Sequence, residues 1–258
     1  MIETELGAPL FDRTTRKVRL NAFGSAFLPY AKKILDIQNE YTAVLANQLK
    51  DTSSKITIAS IPVMSHYHIN DILAAFQQAM PNLHLEIMEA DTSEQIEMLK
   101  NRECDFAFLR ETDQSSYSFP TIPFDTDHIV AVLPSSHPLA SNSFLTLDQL
   151  KEENFFFLSK QTMMHKLCVY ACEQAGFTPN VTFTSHRAAN IIDLVRKGMG
   201  VALLTKKPSL PLVGTNISLV DVVPYINTSI CLAYPDHKKL SPAARQFLNF
   251  VQDTTLRS

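Results

Sequence analysis

The chain has 258 residues, of which 45% are apolar and 19% are charged, and its formal net charge is -3. It contains only six glycines, whereas average usage near 7% would give roughly eighteen. Neither G-x-G-x-x-G nor G-x-x-x-x-G-K-S/T occurs, so Rossmann-type dinucleotide binding and P-loop chemistry are excluded. The length predicts one large or two modest domains.

The sequence carries no sign of export or membrane insertion. No segment approaches the roughly 18 uninterrupted apolar residues of a membrane span, and the first twenty residues lack the apolar core of a signal peptide. We therefore expect a cytoplasmic protein without a membrane partner. The four cysteines never form C-x-x-C, which argues against a zinc site or a disulfide framework, and we expect no metal or cofactor.

A cluster of basic residues lies near the N-terminus. Arg13, Arg16, Lys17 and Arg19 fall within seven residues that contain no acid, between short apolar runs. This pattern predicts a basic hairpin. A solvated surface turn fits it, and so does a wing that contacts DNA phosphates.

A long amphipathic helix is predicted after Asn21, which can cap it. Its apolar stripe consists of Phe23, Phe27, Tyr30, Ala31, Ile34, Leu35, Ile37, Tyr41, Leu45 and Leu49. Pro29 removes one backbone donor and is expected to bend the helix. A stripe of this length predicts a homodimer that pairs two such helices, and packing against the downstream chain is the alternative.

Two series of alternating strands and helices follow a polar linker at residues 51–54. The first series predicts strands at 56–60, 83–87 and 106–109, with helices at 69–79 and around 96–99. The second predicts strands at 155–158, 181–183 and 201–204, with helices at about 163–175 and 191–195. The C-terminal segment predicts a further strand at 230–233 and a helix at 243–251. The βαβ spacing predicts parallel strands, and two α/β halves predict a ligand cleft at the carboxyl ends of their strands.

Several motifs along the chain resemble those of LysR-type transcriptional regulators. The run Ile2-Glu3-x-Glu5-Leu6-Gly7-x-x-Leu10-Phe11-x-Arg13-x-x-Arg16-x-Val18-x-Leu20-x-x-x-Gly24 resembles the end of the recognition helix, the wing and the start of the linker helix in that family. Four further motifs resemble parts of the effector-binding domain of that family. They are Pro81-x-Leu83-x-Leu85, Asp105-Phe106-Ala107, His137-Pro138-Leu139-Ala140 and Val195-x-x-Gly198-x-Gly200-Val201-Ala202-Leu203-Leu204. The resemblance covers essentially the whole chain.

This resemblance implies an α/β fold with a two-lobed effector domain like that of periplasmic binding proteins. Its segments are a winged helix-turn-helix remnant at 1–21, a linker and dimerisation helix at 22–54, a first effector subdomain at 55–128 plus 231–258, and a second at 129–230. The implied partners are promoter DNA, a small-molecule effector and a second copy in a homodimer or tetramer. Most of the recognition helix that reads base edges would precede Met1, so we expect the chain as given not to bind an operator specifically.

The resemblance also places the effector at the turns that follow the strands, between the two lobes. The implied site residues are Pro62, Val63, Met64, Ser65, Thr92, Ser93, Gln161, Thr162, Ser185 and His186. Val63 and Met64 would shape an apolar wall, and the hydroxyl groups would donate hydrogen bonds. Four cations lie near these turns, at Arg110, Lys160, His186 and Arg187, which suggests a carboxylate or another anion as effector. Each cation can equally be a solvated charge at the rim.

Cys168 and Cys172 lie four residues apart, on one helical face with Met164, Leu167, Ala171 and Ala175. Buried thiols in the core are the favoured interpretation, because cysteine behaves there as a small apolar residue. Redox sensing is the alternative, since the family includes peroxide sensors, but their reactive first cysteine would fall near Met163. His165 has metal-ligand spacing with the two thiols, yet a fourth ligand is missing.

Three functional classes remain to be weighed. No G-x-S-x-G, H-E-x-x-H or paired-carboxylate motif is present, so we expect the chain not to be an enzyme. A ligand-responsive transcription regulator and a stand-alone solute-binding module both fit the two α/β halves. The basic hairpin and the long striped helix have no use in a solute-binding module, and they favour the regulator.

Overall fold

The computed structural model describes residues 3, 6–14, 17–50, 55–113, 115, 117–236 and 240–255. The side chains of residues 13, 14, 17, 18 and 43–50 lie outside this description. The chain divides into two compact units, Met1–Ser54 and Lys55–Ser258. The predicted polar linker at 51–54 lies outside the described residues.

The first unit contains a hairpin and a long helix. Strand β1 (Phe11–Thr14) pairs antiparallel with β2 (Lys17–Leu20), which confirms the predicted basic hairpin. Helix α1 spans Ala22–Lys50 and contains Pro29, and Asn21 Oδ1 accepts the Gly24 N–H at 2.9 Å as its cap. A Cβ atom at Gly24 would collide with the carbonyl oxygen of Leu10, so only glycine fits where the hairpin meets this helix.

Most of the described side chains in the apolar stripe of α1 are exposed to solvent, and only Phe27 and Ala31 among them are partly buried. The exposed members are Phe23, Tyr30, Ile34, Leu35, Ile37 and Tyr41, with relative exposures from 51% to 64%, and Leu28 on the same helix is 40% exposed. Exposed apolar residues of this number on one helix are typical of an interaction surface.

The second unit is built around one long, mixed β-sheet. Its strands are β3 (Lys55–Ser60), β4 (His84–Glu89), β5 (Phe106–Glu111), β6 (Thr121–Pro134), β7 (Phe144–Leu145), β8 (Asn154–Leu158), β9 (Asn180–Ser185), β10 (Val201–Thr205), β11 (Ile217–Val222) and β12 (Asn227–Ala233). The main order is β4-β3-β5-β12-β6-β10-β8-β9, and β11 pairs with both β6 and β7. As the βαβ spacing predicted, β3 is parallel to β4 and to β5, and β8 is parallel to β9.

Helices cover both faces of this sheet. They are α2 (Ile69–Ala79), α3 (Thr92–Asn101), α4 (Met163–Gln174), α5 (Ala188–Arg196), α6 (Lys206–Ser209) and α7 (Pro242–Thr255), with 3-10 turns at Met64–Tyr67, Leu147–Leu150 and Leu210–Leu212. All the strands and helices that periodicity predicted are confirmed, with ends shifted by a few residues. Among the described helices, none is both long and apolar enough to cross a membrane.

Strand β6 divides the sheet into two lobes. Its residues 121–128 pair with β12, whereas residues 129–134 pair with β10 and β11. We call the half with β3, β4, β5, β12, α2, α3 and α7 the first lobe, and the half with β7 to β11, α4 and α5 the second lobe. Each lobe has apolar clusters of its own on both faces of its sheet. The second unit therefore folds as a two-lobed α/β body with a cleft between the halves, as the sequence predicted.

Candidate functional site

A cavity of about 120 Å³ lies between the two lobes, where the strands of each lobe end. The first lobe lines it with residues that follow β3 and β4 and with Arg110 near the end of β5. The second lobe contributes the ends of β8 and β10, the start of α4 and the turn after β9. The lining residues are Ile61, Pro62, Val63, Asp91, Thr92, Arg110, Leu158, Thr162, Met163, Met164, His186, Ala188, Leu204, Thr205, Pro208 and Ser209.

The cleft brings together half of the residues that the resemblance implied. Pro62, Val63, Thr92, Thr162 and His186 line the cavity. Met64, Ser65, Ser93, Gln161 and Ser185 are their chain neighbours and do not line it. The turns that contribute to the cavity are therefore the expected ones, but only half of the predicted side chains line it.

The hydroxyl groups at two of these turns form hydrogen bonds within their own turns, and Thr162 caps helix α4. Thr162 Oγ1 accepts the His165 N–H at 3.2 Å and donates to Ser159 O at 2.8 Å, so its proton is engaged within its own turn. Ser185 Oγ accepts from Arg187 N at 3.2 Å and from Asn190 Nδ2 at 3.3 Å at the start of α5. Both groups stabilise their turns, and the hydroxyl proton of Thr162 is not available to a ligand in the cleft.

Arg110 is a buried cation in the wall of the cleft. Its side chain is only 4% exposed, and its guanidinium group stacks on the Tyr67 ring at 5.1 Å from the ring centre. One terminal nitrogen donates to Thr228 Oγ1 at 2.9 Å and the other to the Tyr67 hydroxyl at 2.8 Å. These contacts use two of the five N–H donors of the guanidinium group. No ion pair joins Arg110 to a carboxylate of the described residues.

Tyr67 separates the Arg110 charge from the nearest buried carboxylate. Its hydroxyl donates to Asp127 Oδ2 at 2.7 Å while it accepts from Arg110. Burial raises the pKa of Tyr67 to about 12, an effect that Arg110 opposes, so the phenol stays protonated at neutral pH. Asp127 also accepts the Lys207 N–H at 3.2 Å, and Lys207 Nζ pairs with Asp125. Tyr67 and Asp127 therefore connect the cleft wall of the first lobe to the start of α6.

The other predicted cations lie at the surface. His186 lines the cleft but is exposed, and Lys160 and Arg187 are exposed and do not line it. Arg110 is thus the buried member of the four candidates. Sequence reasoning missed the partners of Arg110, because Tyr67 and Thr228 lie 43 and 118 residues away from it in the chain. It also missed Asp127, which lies 60 residues from its partner Tyr67.

Helix α4 carries the two cysteines on its buried face. Cys168 and Cys172 are free thiols, at 2% and 0% exposure, which confirms the interpretation as core residues. Burial raises the pKa of Cys172 to about 12 and also raises the pKa of Cys168, so both remain in the unreactive thiol form. His165 is buried as well, and its Nδ1 lies 2.7 Å from Leu158 O, a hydrogen bond that accounts for this ring without a metal.

Three of the four predicted DNA-contacting residues lie in the paired strands of the hairpin in the first unit. Arg13 lies opposite Val18, Lys17 opposite Thr14, and Arg19 opposite Asp12 in the paired strands. The Arg19 side chain is exposed. Arg16 lies outside the described residues.

A two-lobed α/β body with its cavity between the lobes defines an effector-binding domain, and the comparisons with known proteins give its family. Residues 50–255 match the family model described as the LysR substrate binding domain. The chain therefore belongs to the LysR family of transcriptional regulators.

Related regulators align with nearly the whole chain. An uncharacterized HTH-type transcriptional regulator of Escherichia coli, YnfL, is 30% identical over 264 residues, which cover 95% of this chain and 84% of the relative. The transcriptional dual regulator GltC of Bacillus subtilis is 24% identical over 253 residues, or 97% of this chain and 84% of the relative.

Solved structures agree on the fold. The effector binding domain of QuiR in complex with shikimate gives a TM-score of 0.69 at 19% identity, covering 79% of this chain and 97% of that chain. The CcmR regulatory domain of Synechocystis PCC6803, in complex with 2-PG, gives a TM-score of 0.69 at 19% identity, covering 78% of this chain and 97% of that chain.

Proposed function

We propose that the chain is a ligand-responsive LysR-type regulator whose inter-lobe cleft binds a small anion, most simply a carboxylate. Its segments are the wing at 1–21, the linker helix at 22–54, one effector subdomain at 55–128 plus 231–258, and a second at 129–230. The function requires no metal, cofactor or catalysis. The proposed regulator acts on promoter DNA through a complete winged helix-turn-helix, and hence in the cytoplasm.

The observation that carries the anion proposal is the buried guanidinium group of Arg110 in the cleft wall. Burying a cation is costly unless a partner compensates its charge. The phenol of Tyr67 lies between Arg110 and Asp127, so the carboxylate reaches this cation only through a neutral hydroxyl group. An anion in the cleft would supply the direct partner, and the planar fork of N–H donors suits a carboxylate.

The cleft is also placed to respond to its ligand. Arg110 belongs to the first lobe, whereas Thr162 and His186 belong to the second, so one ligand can contact both. Its differential affinity for two arrangements of the lobes shifts their equilibrium, typically by about 1–3 kcal/mol of coupling. The complexes of QuiR with shikimate and of CcmR with 2-PG support a small-molecule ligand for this fold.

The first unit supplies the pairing and the DNA contacts of the proposed regulator. The exposed stripe of α1 is proposed to pair two chains, and the basic hairpin, with Arg13, Arg16, Lys17 and Arg19, to contact phosphates. Light scattering that reports twice the chain mass of 29.0 kDa, or a tetramer, supports this pairing. A monomer contradicts it.

A thermal-shift screen of matched pairs tests the anion proposal. Each pair consists of a small carboxylic acid and its primary amide, for example benzoate and benzamide, which have similar shapes and differ in charge. We expect several acids, and not their amides, to raise the Tm, because only the acids offer Arg110 an anionic partner. Stabilisation by amides as strong as by their acids, or by organic cations only, contradicts the proposal.

A further inference from the structure

A second and larger cavity, of about 400 Å³, is lined by later residues of α4 and shares no lining residue with the inter-lobe cleft. Its walls come from α4, from the turn before Leu147–Leu150, from the connection between β11 and β12, and from the segment after β5. The lining residues are Thr112, Asp113, Thr146, Leu147, Asp148, Leu167, Tyr170, Ala171, Gln174, Ala175, Val222, Val223, Pro224, Tyr225, Ile226 and Asn227. Its volume lies in the range of pockets that hold small organic ligands.

The floor of this cavity is apolar and its rim holds two aromatic rings. Leu167, Val222 and Ile226 supply aliphatic surface. Tyr170 and Tyr225 are 41% and 56% exposed, and the Tyr225 ring is held edge to face against His128 at 5.2 Å. Apolar walls and aromatic rings suit a ligand with a hydrophobic or aromatic body.

The charge of the lining is of one sign. Asp113 and Asp148 are its ionisable acids, and neither forms an ion pair with a basic side chain of the described residues. The lining contains no lysine, arginine or histidine. A neighbouring polar depression shares Thr112, Asp113 and Asn227 with the cavity and adds the carboxylates of Glu111 and Asp127 and the ring of His128. The His128 ring is hydrogen-bonded to Asp221, so the depression carries more acids than bases. Carboxylates and aromatic faces together attract an organic cation and repel an anion.

We propose that this cavity is a second ligand site, which takes a small organic ammonium ion with an aromatic or aliphatic body. The body packs on Leu167 and Ile226 between the two tyrosine rings, and the ammonium group faces Asp113 and Asp148. The proposal does not depend on the anion specificity of the inter-lobe cleft.

Helix α4 links the two sites. Its first residues, Met163 and Met164, line the cleft, and its later residues Leu167, Ala171 and Gln174 line the second cavity. The second cavity also includes Thr112 and Asp113 from the first lobe, next to Asn227 at the start of β12. A cation bound there contacts both lobes and the helix that forms part of the cleft wall.

Isothermal titration calorimetry on the full chain with three probes tests the proposal. 2-Phenylethylammonium carries the proposed charge, 2-phenylethanol is its neutral counterpart, and 3-phenylpropionate is an anionic counterpart of similar size. We expect the ammonium probe to bind more tightly than the alcohol. Any binding of the anionic probe takes place elsewhere and does not respond to changes in the second cavity.

Three variants locate the binding. The double variant Asp113→Asn, Asp148→Asn removes the two carboxylates from exposed positions and should weaken the ammonium probe about tenfold. Ala171→Phe fills the cavity from α4 and should abolish binding of the ammonium probe and of the alcohol. Glu173→Gln is the matched control, because Glu173 is exposed on the same helix and does not line the cavity. It should leave the affinity unchanged.

Several results would overturn the proposal. The first two are an ammonium probe that fails to bind at millimolar concentration and an alcohol that binds as tightly as the ammonium probe. The others are an affinity for the ammonium probe that the double variant leaves unchanged, and one that Glu173→Gln reduces as much as the double variant does. Thermal unfolding of each variant without probe separates loss of binding from loss of folding. If Ala171→Phe does not fold, the double variant still tests the proposal, because its substitutions are at exposed positions.

Discussion

The two cavities of the second unit differ in size and in charge. The inter-lobe cleft measures about 120 Å³ and has the buried cation Arg110 in its wall, whereas the second cavity measures about 400 Å³ and has only acids among its charged lining residues. One helix, α4, contributes to both. The two proposals therefore assign the charge preference of each cavity to single side chains from distant strands and turns, and not to the scaffold that the cavities share.

The largest expected effect is the slow alkylation of the cysteines on the buried face of α4, which line neither cavity. With pKa values raised by burial, Cys168 and Cys172 hold almost no thiolate near neutral pH. We expect iodoacetamide to modify them in the native protein about a thousandfold more slowly than in the unfolded chain, as judged from the reference thiol pKa of about 8.5. Mass spectrometry of tryptic peptides measures the two rates. Comparable rates would show that this face of α4 opens to solvent.

The second-largest expected effect distinguishes the buried cation of the cleft from an exposed cation near its rim. Arg110→Gln removes the buried guanidinium group and should weaken the binding of stabilising carboxylates by about 10- to 100-fold, because hydrogen bonds between charged groups contribute about 1.5–3 kcal/mol. Arg187→Gln is the matched control at an exposed residue outside the cavity lining and should change the affinity little. Calorimetric titration of an acid from the screen measures both. Equal losses in the two variants would contradict the assignment of Arg110.

The tyrosines of the two sites should differ in their effect on stability. Tyr67→Phe removes the hydroxyl group that joins Arg110 to Asp127 and should lower the free energy of unfolding by about 1–3 kcal/mol. Tyr170→Phe, in the second cavity, should change it by less than about 0.5 kcal/mol, because that side chain is exposed. Urea denaturation compares the two variants. A loss of unfolding free energy in Tyr170→Phe as large as that in Tyr67→Phe would contradict this expected difference.

The smallest effect concerns Asp221, whose strand β11 leads into the second cavity at Val222. Hydrogen bonds from Lys206, and then from His128, lower the pKa of Asp221. A lowered folded-state pKa contributes stability above the unfolded value near 3.9, and the contribution is lost as pH falls through the folded value. Asp221→Asn should therefore cost up to about 1 kcal/mol at pH 7 and little at pH 3. Denaturation curves at the two pH values test this, and an equal cost at both would contradict it.

Sequence patterns predicted the lobes well and their connection poorly. Apolar runs such as Phe106–Leu109 and Phe155–Leu158 indicate buried strands without tertiary information, and β5 and β8 lie there. Strand β6 was not predicted, because its first half mixes Pro123, acids and apolar residues and gains its regularity only from pairing with β12. Local periodicity does not contain that long-range pairing.

The site was predictable at the level of turns and not of side chains. The rule that ligands bind at the carboxyl ends of strands selects the turns at Pro62–Val63 and Thr92, but it does not reveal which side chain faces the cavity. The partners of Arg110 come from distant segments and carry no local pattern. On α4, Leu167 and Ala171 pack against the core cluster that contains the two cysteines, as predicted, and they also line the second cavity, which the sequence did not indicate.

A crystal structure of the chain with the most stabilising carboxylic acid tests the central claim most directly. The account predicts that the carboxylate lies in the inter-lobe cleft, within hydrogen-bond distance of the Arg110 guanidinium group, with the rest of the ligand against Val63 and Thr92. An acid bound in the second cavity, or in the cleft without contact to Arg110, would contradict it.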